Sequence, residues 1–358
     1  MSKFFQDPSR RSFIKKLAGS TAAVAVGSNV FSAEGENKYF ESLKRSAVSP
    51  NDNINIALIG AGGMGTEDTK TALRVPGAKL VAVCDLYDGR LKDAKDRWGS
   101  GLFTTRSYKE ILARKDVDAV IIATPDHWHK QISIDALKAG KHVYCEKPMV
   151  HSIDEGHDVI AAQKQSGKVF QVGSQGVSSL GNEKAKQLLK DGAIGQLNYA
   201  EGFWARHSPV GAWQYPIPAD ASPSTVDWDT FVSNTNKRPF DATRFFRWRN
   251  YTDYGTGMSG DLFVHLFSSL HFITDSFGPN KVYSSGGLRY WKDGREVPDV
   301  LIGVFDYGQQ AHPAFNLSLR CNFVDGTSGT TYLKLVGSEG SMDITWDSVT
   351  LKRNKDVS

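Results

Sequence analysis

Three glycines spaced as Gly60-x-Gly62-x-x-Gly65 follow the apolar run Ile54–Ile59, and Asp85 ends a second apolar run. In a strand–turn–helix unit, these glycines make the tight turn, admit the backbone close to a pyrophosphate, and let the helix pack on the strand. The helix N-terminus adds free N–H groups that bind phosphates. A carboxylate at Asp85 would accept hydrogen bonds from an adenosine ribose and repel a 2′-phosphate. The spacing therefore predicts a dinucleotide site that favours NAD and leaves NADP as the second option.

A second polar group follows the apolar run Ala119–Ala123 and begins with Thr124 and Pro125. Pro125 ends the predicted strand, and Asp126 can cap the next helix. Since the carboxyl ends of parallel strands meet at one edge of a sheet, His129 and its aromatic neighbours are expected beside the nicotinamide half of the crevice.

A third group, Glu146-Lys147-Pro148, follows another apolar run. A lysine at the mouth of a buried strand is an unusual place for a solvated charge, so we interpret Lys147 as functional. Glu146 either accepts a hydrogen bond from the cofactor ribose or pairs with Lys147. The residues predicted to bind the cofactor are Gly60, Gly62, Gly63, Met64, Gly65, Asp85, Thr124, Pro125, Asp126, His129 and Glu146.

The composition limits the class of protein. The 358 residues suffice for two domains, and 40% hydrophobic and 23% charged residues are ordinary for a globular protein. A net charge of +4 without blocks of like charge gives nucleic-acid binding little support. Cys84, Cys145 and Cys321 are expected to be small buried hydrophobes, and no CxxC or HExxH pattern predicts a metal site. No apolar segment is long enough to predict a spanning helix.

The first residues resemble an export signal peptide. Ser9–Lys16 contains two arginines before the apolar stretch Leu17–Val26, a pattern typical of twin-arginine signal peptides. We predict a signal peptide at 1–33, a polar linker at 34–53, the twin-arginine translocase as a partner, and a periplasmic location. Because no cysteine follows the apolar stretch, no lipid anchor is expected. Twin-arginine export moves folded proteins, so the cofactor would be loaded before export and held tightly.

Alternating apolar runs and amphipathic segments from residue 54 to 172 predict an α/β domain of Rossmann type, with a doubly wound parallel sheet. From 173 to 358, consecutive strands without intervening helices predict an α+β substrate domain with an open, mainly antiparallel sheet. A helix is expected over Met258–Asp275, and a loop-like region rich in Trp, Tyr, Pro and Arg precedes it. An open sheet of this kind often pairs with another subunit, so a homo-oligomer is expected by analogy.

At Glu146-Lys147-Pro148 the chain resembles the glucose–fructose oxidoreductase/inositol dehydrogenase/MocA (Gfo/Idh/MocA) family, and the resemblance extends from about Ile54 to the end. It is most similar to the exported branch. Members of that branch often run longer, so a second domain truncated at Ser358 is an open expectation. The marks of the family in this chain are Gly60 to Gly65, Asp85, Thr124 to His129, Glu146 to Pro148, and Asp261-x-x-x-His265.

The resemblance implies three catalytic roles. The family's catalytic lysine corresponds to Lys147, its substrate-binding aspartate to Asp261, and its proton-transfer histidine to His265. Many members have glycine where Phe263 stands, which implies a differently shaped pocket. Many have asparagine where Asp126 stands, which leaves the cofactor contact of Asp126 open.

The expected reaction is hydride transfer between a nicotinamide and a hydroxyl carbon of a sugar or polyol. His265, with a pKa near 6.5, would take the hydroxyl proton. Lys147 would stabilise the developing alkoxide, and Asp261 would orient the hydroxyl or the imidazole. Aromatic and basic residues between Phe203 and Tyr254 either line a carbohydrate site or pack as an ordinary loop.

Two other functions stay open. Some relatives cleave glycosides through transient oxidation of the sugar, with NAD recycled, and these tend to lack the lysine that stands here at Lys147. The other alternative is a non-catalytic module that binds a sugar or a nucleotide.

Overall fold

A computed structural model describes residues 53–308, 314–324, 326 and 331–354. The predicted signal peptide, and the predicted linker apart from Asn53, lie outside the described residues. The strands are β1 Ile54–Ile59, β2 Ala78–Cys84, β3 Phe103–Thr105, β4 Ala119–Ile122, β5 His142–Glu146, β6 Phe170–Gly173, β7 Leu197–Ala205, β8 Lys281–Gly287, β9 Val300–Tyr307, β10 Phe315–Asn322, β11 Tyr332–Gly337, β12 Gly340–Ile344 and β13 Val349–Arg353. The α-helices are α1 Gly63–Ala72, α2 Asp88–Trp98, α3 Tyr108–Ala113, α4 His129–Lys138, α5 Glu155–Ser166, α6 Leu180–Lys190, α7 Trp228–Phe231, α8 Ala242–Phe246 and α9 Val264–Thr274.

The first domain is a six-stranded parallel sheet in the order β3-β2-β1-β4-β5-β6, with a helix between successive strands. The inner parts of its central strands are apolar and buried because helices cover both faces of the sheet. The doubly wound order reverses between β1 and β4, and the loops that follow these two strands therefore flank a crevice. This confirms the fold predicted from the alternation of elements.

The second domain is a seven-stranded sheet in the order β13-β12-β11-β7-β10-β9-β8. Every neighbouring pair is antiparallel except β7 and β10, which run parallel. Helix α9 buries Leu266, Leu270 and Ile273 in one core with strand residues such as Leu319 and Leu335. The mainly antiparallel sheet predicted from consecutive strands is confirmed.

The loop-like region of the second domain crosses back to the first. Val226 pairs with Tyr87 just after β2, and the backbone N–H of Asp227 donates to the carbonyl of Leu86 at 2.8 Å. Aromatic side chains of this region form their own buried cluster with Tyr87. We call residues 213–254 the returning segment, because it carries second-domain residues onto the nucleotide-binding domain.

Three further predictions from the sequence can be compared with the structure. Cys84, Cys145 and Cys321 are buried and free, as expected. The helix predicted over Met258–Asp275 is not a uniform α-helix, because residues Ser259–Phe263 form a π-helical turn before α9. In the described part of the chain, no helix combines the length and apolarity that crossing a bilayer requires.

Candidate active site

A cavity of about 490 Å³ lies at the crevice between β1 and β4. Its walls include predicted cofactor-binding residues, namely Gly60, Gly62, Gly63, Met64, Asp85, Thr124 and Pro125. The opposite wall comes from the returning segment, and includes Tyr215, Phe245, Phe246, Trp248 and Arg249. The cavity therefore spans the glycine loop, the acid after β2 and the loop after β4, which is the path of a dinucleotide across such a sheet.

Two glycines of the loop are required by protein packing. Gly60 has φ +95°, and a Cβ there would lie 2.6 Å from the carbonyl of Ala123. Gly65 lies under the loop, where a Cβ would stand 2.1 Å from the Gly60 carbonyl oxygen. Both residues therefore let α1 and β4 approach the turn closely.

The next two glycines leave room for a ligand. Gly62 is the N-cap of α1 and has no side-chain capping bond, and a Cβ there would meet only Arg90, at 3.9 Å. A Cβ on Gly63 would have nothing within 4 Å. Since the first N–H groups of a helix have no intrahelical partner, this open space can accept a pyrophosphate. The donors and the space fit NAD.

Asp85 is buried and fixed by the turn around it. Its Oδ2 accepts a hydrogen bond from the Ala61 N–H at 2.8 Å, and its Oδ1 accepts one from the Tyr87 N–H at 3.0 Å. Each oxygen retains a further lone pair for a ribose hydroxyl. Arg90 Nη1 lies 3.5 Å from Oδ1. Sequence reasoning missed Arg90, although a basic residue shortly after the ribose-binding acid was an available signal.

The returning segment closes the adenosine end of the cavity. The Arg90 guanidinium lies over the rings of Phe245 and Phe246, at 5.9 and 5.6 Å from their centroids. The Tyr87 hydroxyl donates to Asp220 Oδ1 at 2.6 Å. A nucleotide in the cavity would therefore be covered by side chains of both domains.

Lys147 and Asp261 form a buried ion pair, each about 8% exposed, with 2.7 Å between Lys147 Nζ and Asp261 Oδ1. Lys147 also donates to the Asp261 backbone carbonyl at 2.9 Å. Arg249, which lines the cavity, donates to the same Oδ1 at 3.2 Å. Burial alone raises the pKa of Asp261, but Arg249 and Lys147 outweigh it and hold that pKa well below its usual range. The structure thus joins two predicted catalytic residues to the cofactor cavity through Arg249.

The π-helical turn that carries Asp261 is allowed by a glycine. A Cβ on Gly260 would lie 2.1 Å from the Thr256 hydroxyl. Thr256, so placed, donates to Asp126 Oδ2 from its backbone N–H at 3.0 Å and from its hydroxyl at 2.8 Å. Asp126 is thereby buried against the second domain, and burial raises its pKa. Isolated π turns are frequent at functional sites.

His265 is a neutral base held between tryptophans. Its ring stacks on Trp204 with centroids 5.0 Å apart, and it meets Trp346 edge-on at 5.6 Å. Burial, followed by the charge of Lys147, lowers its pKa to about 4. The expectation of a pKa near 6.5 was wrong, because it ignored burial and the neighbouring cation. The buried Nδ1 has no hydrogen-bond partner among the described residues.

His129 is a structural cation. Its Nδ1 donates to the Pro148 carbonyl at 2.7 Å and its Nε2 to the Thr124 carbonyl at 2.9 Å, and both nitrogens must carry hydrogen to do so. Burial lowers the pKa of His129, but Cys145 and Asp126 raise it more strongly, to about 10. The residue therefore ties the loop after β4 to the loop after β5.

Glu146 makes its side-chain hydrogen bonds with neutral groups, although the charge of Lys147 opposes the effect of burial on its pKa. Its Oε1 accepts hydrogen bonds from Gln175 and, at 3.3 Å, from the Tyr144 hydroxyl. Burial raises the pKa of Glu146, and it raises that of the neighbouring Asp68 in α1 to about 8. Among the described residues there is no ion pair between Glu146 and Lys147, so that alternative is not realised.

The aromatic and basic region divides into two groups. Trp213 packs on Phe323 in the core, and Arg244 pairs with Glu296 at 2.7 Å. His127 is buried, and its Nε2 donates to the Phe231 carbonyl at 3.0 Å. The residues that lie near the cavity or His265 are Trp204, Arg206, Tyr215, Arg247, Trp248 and Arg249.

Comparison with known proteins identifies the first domain. Residues 54–174 match the family described as Gfo/Idh/MocA, oxidoreductase family, NAD-binding Rossmann fold. Inositol 2-dehydrogenase of Salmonella typhimurium is 30% identical over 165 residues, which are 46% of this chain and 49% of that protein. Glycosyl hydrolase family 109 protein 2 of a Shewanella species is 32% identical over 163 residues, 42% of this chain and 36% of that protein. The chain thus spans at most about half the length of these curated relatives.

The similarity of fold extends over both domains. The solved structure of levoglucosan dehydrogenase in complex with NADH superimposes with a TM-score of 0.65 at 20% identity, covering 86% of this chain and 77% of the other. Residues 54–174 are thus an NAD-binding Rossmann domain that matches the Gfo/Idh/MocA oxidoreductase family, with the glycine loop, Asp85 and the cavity in the positions such a domain requires.

Proposed function

We propose that this oxidoreductase transfers hydride between NAD and a hydroxyl carbon of a sugar or cyclitol. The observation that carries the proposal is the buried Lys147–Asp261 pair, 2.7 Å apart and joined by Arg249 to the wall of the NAD cavity. A buried lysine paired in this way costs desolvation energy, which a purely structural role does not readily explain.

His265, Lys147 and Asp261 have separate roles in the proposed reaction. Neutral His265 accepts the proton of the substrate hydroxyl, and its stacking on Trp204 fixes the plane of the ring. Lys147 donates to the oxygen as it becomes an alkoxide and then a carbonyl. Asp261 holds the Lys147 ammonium in place. When bound, NAD supplies the acceptor for the hydride that leaves the carbon.

A second candidate is glycoside cleavage through transient oxidation of the sugar, with NAD regenerated in each cycle. The similarity to a family 109 glycosyl hydrolase favours it, whereas the presence of Lys147 favours net oxidoreduction. Closure of the cavity by the returning segment supports tight retention of NAD under either candidate.

Export is a separate proposal that depends only on Ser9–Lys16 and Leu17–Val26. We propose that the twin-arginine translocase carries the protein, with NAD already bound, to the periplasm. A homo-oligomer formed through the open sheet is likewise a proposal from fold analogy.

The test of the proposed function is a substrate panel given to the NAD-loaded protein. Formation of reduced nicotinamide with a sugar or cyclitol, followed by absorbance, is the expected result. Release of aglycone from a chromogenic glycoside without net NADH would favour glycoside cleavage instead. Binding of sugars with neither reaction would leave only a binding module.

A further inference from the structure

Several cationic side chains surround the proposed reaction centre. Lys147 and Arg249 share the single carboxylate of Asp261. Arg247 donates to neutral oxygens, the Tyr215 carbonyl and the Gln214 amide. Asp126 acts on Arg249, and Glu146 interacts with Lys147, through charge without a direct ion pair among the described residues, whereas Arg247 has no carboxylate in contact there.

Arg206 is the cation with the least compensation. Its guanidinium forms one hydrogen bond within the described residues, to the Tyr215 hydroxyl at 3.4 Å, and it has no carboxylate partner there. A guanidinium carries five donors in a rigid fork, so most of the donors of Arg206 are left for a ligand. The side chain is only partly exposed, which strengthens its attraction for an anion compared with a fully solvated arginine.

The position of Arg206 connects it to the reacting groups. It directly follows β7, whose Trp204 stacks on His265. Its charge adds to those that lower the pKa of His265, as a nearby cation must. Its partner Tyr215 lines the NAD cavity. Arg206 therefore lies within reach of a ligand placed between His265 and the cofactor.

We propose that the substrate is a sugar acid whose carboxylate binds Arg206, an inference that rests on the proposed hydride transfer at this site. A carboxylate matches the guanidinium fork with two parallel hydrogen bonds. The hydroxyl carbon of the same sugar would then lie against Lys147 and His265.

Equilibrium binding to the NAD-loaded protein tests this inference without requiring turnover. The probes are D-glucuronate and D-galacturonate, their neutral parents D-glucose and D-galactose, and D-glucose 6-phosphate. We expect at least one uronate to bind about tenfold more tightly than its parent, as a charge-assisted hydrogen bond predicts. In Arg206→Gln this preference is lost while affinity for the parents changes little.

Arg320→Gln is the matched control, because Arg320 lies over the Phe203 ring at 4.4 Å on the exposed side of the same sheet. It should leave the preference for uronates unchanged. Tighter binding of the sugar phosphate, equal loss of all sugars in Arg206→Gln, or no binding of either uronate would overturn the inference. A preference for uronates without any NADH formation would instead contradict the proposed function and leave the binding inference standing.

Discussion

In the glycine loop, substitution of neighbouring glycines by alanine should have different effects, because an added Cβ meets backbone at Gly65 and open space at Gly62. An added Cβ at Gly65 would stand 2.1 Å from the Gly60 carbonyl oxygen, whereas ordinary C···O contacts begin near about 3.3 Å. The backbone of α1 or of the turn must then shift by about 1 Å. Because overpacking against backbone cannot relax through a rotamer change, we expect Gly65→Ala to cost about 3 kcal/mol of unfolding free energy.

Gly62→Ala should separate binding from stability. Gly62 has φ −72° and ψ −169°, which any residue adopts, and the nearest atom to an added Cβ is 3.9 Å away. Its unfolding free energy should stay within about 0.5 kcal/mol of wild type. The methyl group would occupy the space for the pyrophosphate, so NAD affinity should fall about tenfold, equivalent to about 1.4 kcal/mol.

Gly63→Ala is the control for stability, because its Cβ would meet nothing within 4 Å and alanine lowers the entropy of the unfolded chain. We expect a gain of about 0.5 kcal/mol. The assays are urea unfolding of the nucleotide-free variants and calorimetric titration with NAD. Wild-type stability in Gly65→Ala would refute the packing argument, and wild-type NAD affinity in Gly62→Ala would refute the placement of the pyrophosphate.

Three further predictions concern the rest of the site. Lys147→Ala and His265→Ala should each lower turnover about a hundredfold or more at unchanged NAD occupancy, and near wild-type rates in both would contradict the assignment. Burial lowers the pKa of His127 to about 4, below its unfolded value of about 6.5, so the unfolded state binds more protons between these values. The contribution of His127 to the free energy of unfolding should therefore fall by about 2 kcal/mol from about pH 7 to pH 5. In His127→Gln this part of the loss should disappear when urea unfolding is measured at both pH values. An unchanged dependence on pH would show that His127 is not its cause. Asp220→Ala removes the acceptor of the Tyr87 hydroxyl and should release NAD about tenfold faster on dialysis, whereas an unchanged rate would show that this contact does not retain the nucleotide.

The first domain was predictable because its signals are local. Apolar runs separated by amphipathic segments specify a parallel sheet, and the glycine spacing and Asp85 specify the crevice where the cofactor binds. Strand β3, Phe103–Thr105, was missed because three residues carry too little alternation to be recognised. The single parallel pair within the second sheet, β7 with β10, also has no local signal, because its partners are distant in the chain.

The active centre could not be assembled from spacing alone. Lys147 and Asp261 are 114 residues apart and meet only through the packing of two domains, and their roles came from a family resemblance. The low pKa of His265 depends on burial and on Lys147, which are tertiary effects. The returning segment was read as a loop, since its contacts with Tyr87 and Leu86 follow no periodic pattern.

Transfer of deuterium from substrate to bound nucleotide is the most direct test of hydride transfer at this site. The NAD-loaded protein would be incubated with a substrate from the panel that carries deuterium on the oxidised carbon, denatured, and the released nucleotide weighed by mass spectrometry. We predict reduced nicotinamide carrying one deuterium, and its loss in His265→Ala. Nucleotide that stays oxidised, or reduced nucleotide without deuterium, would contradict direct transfer from the hydroxyl carbon.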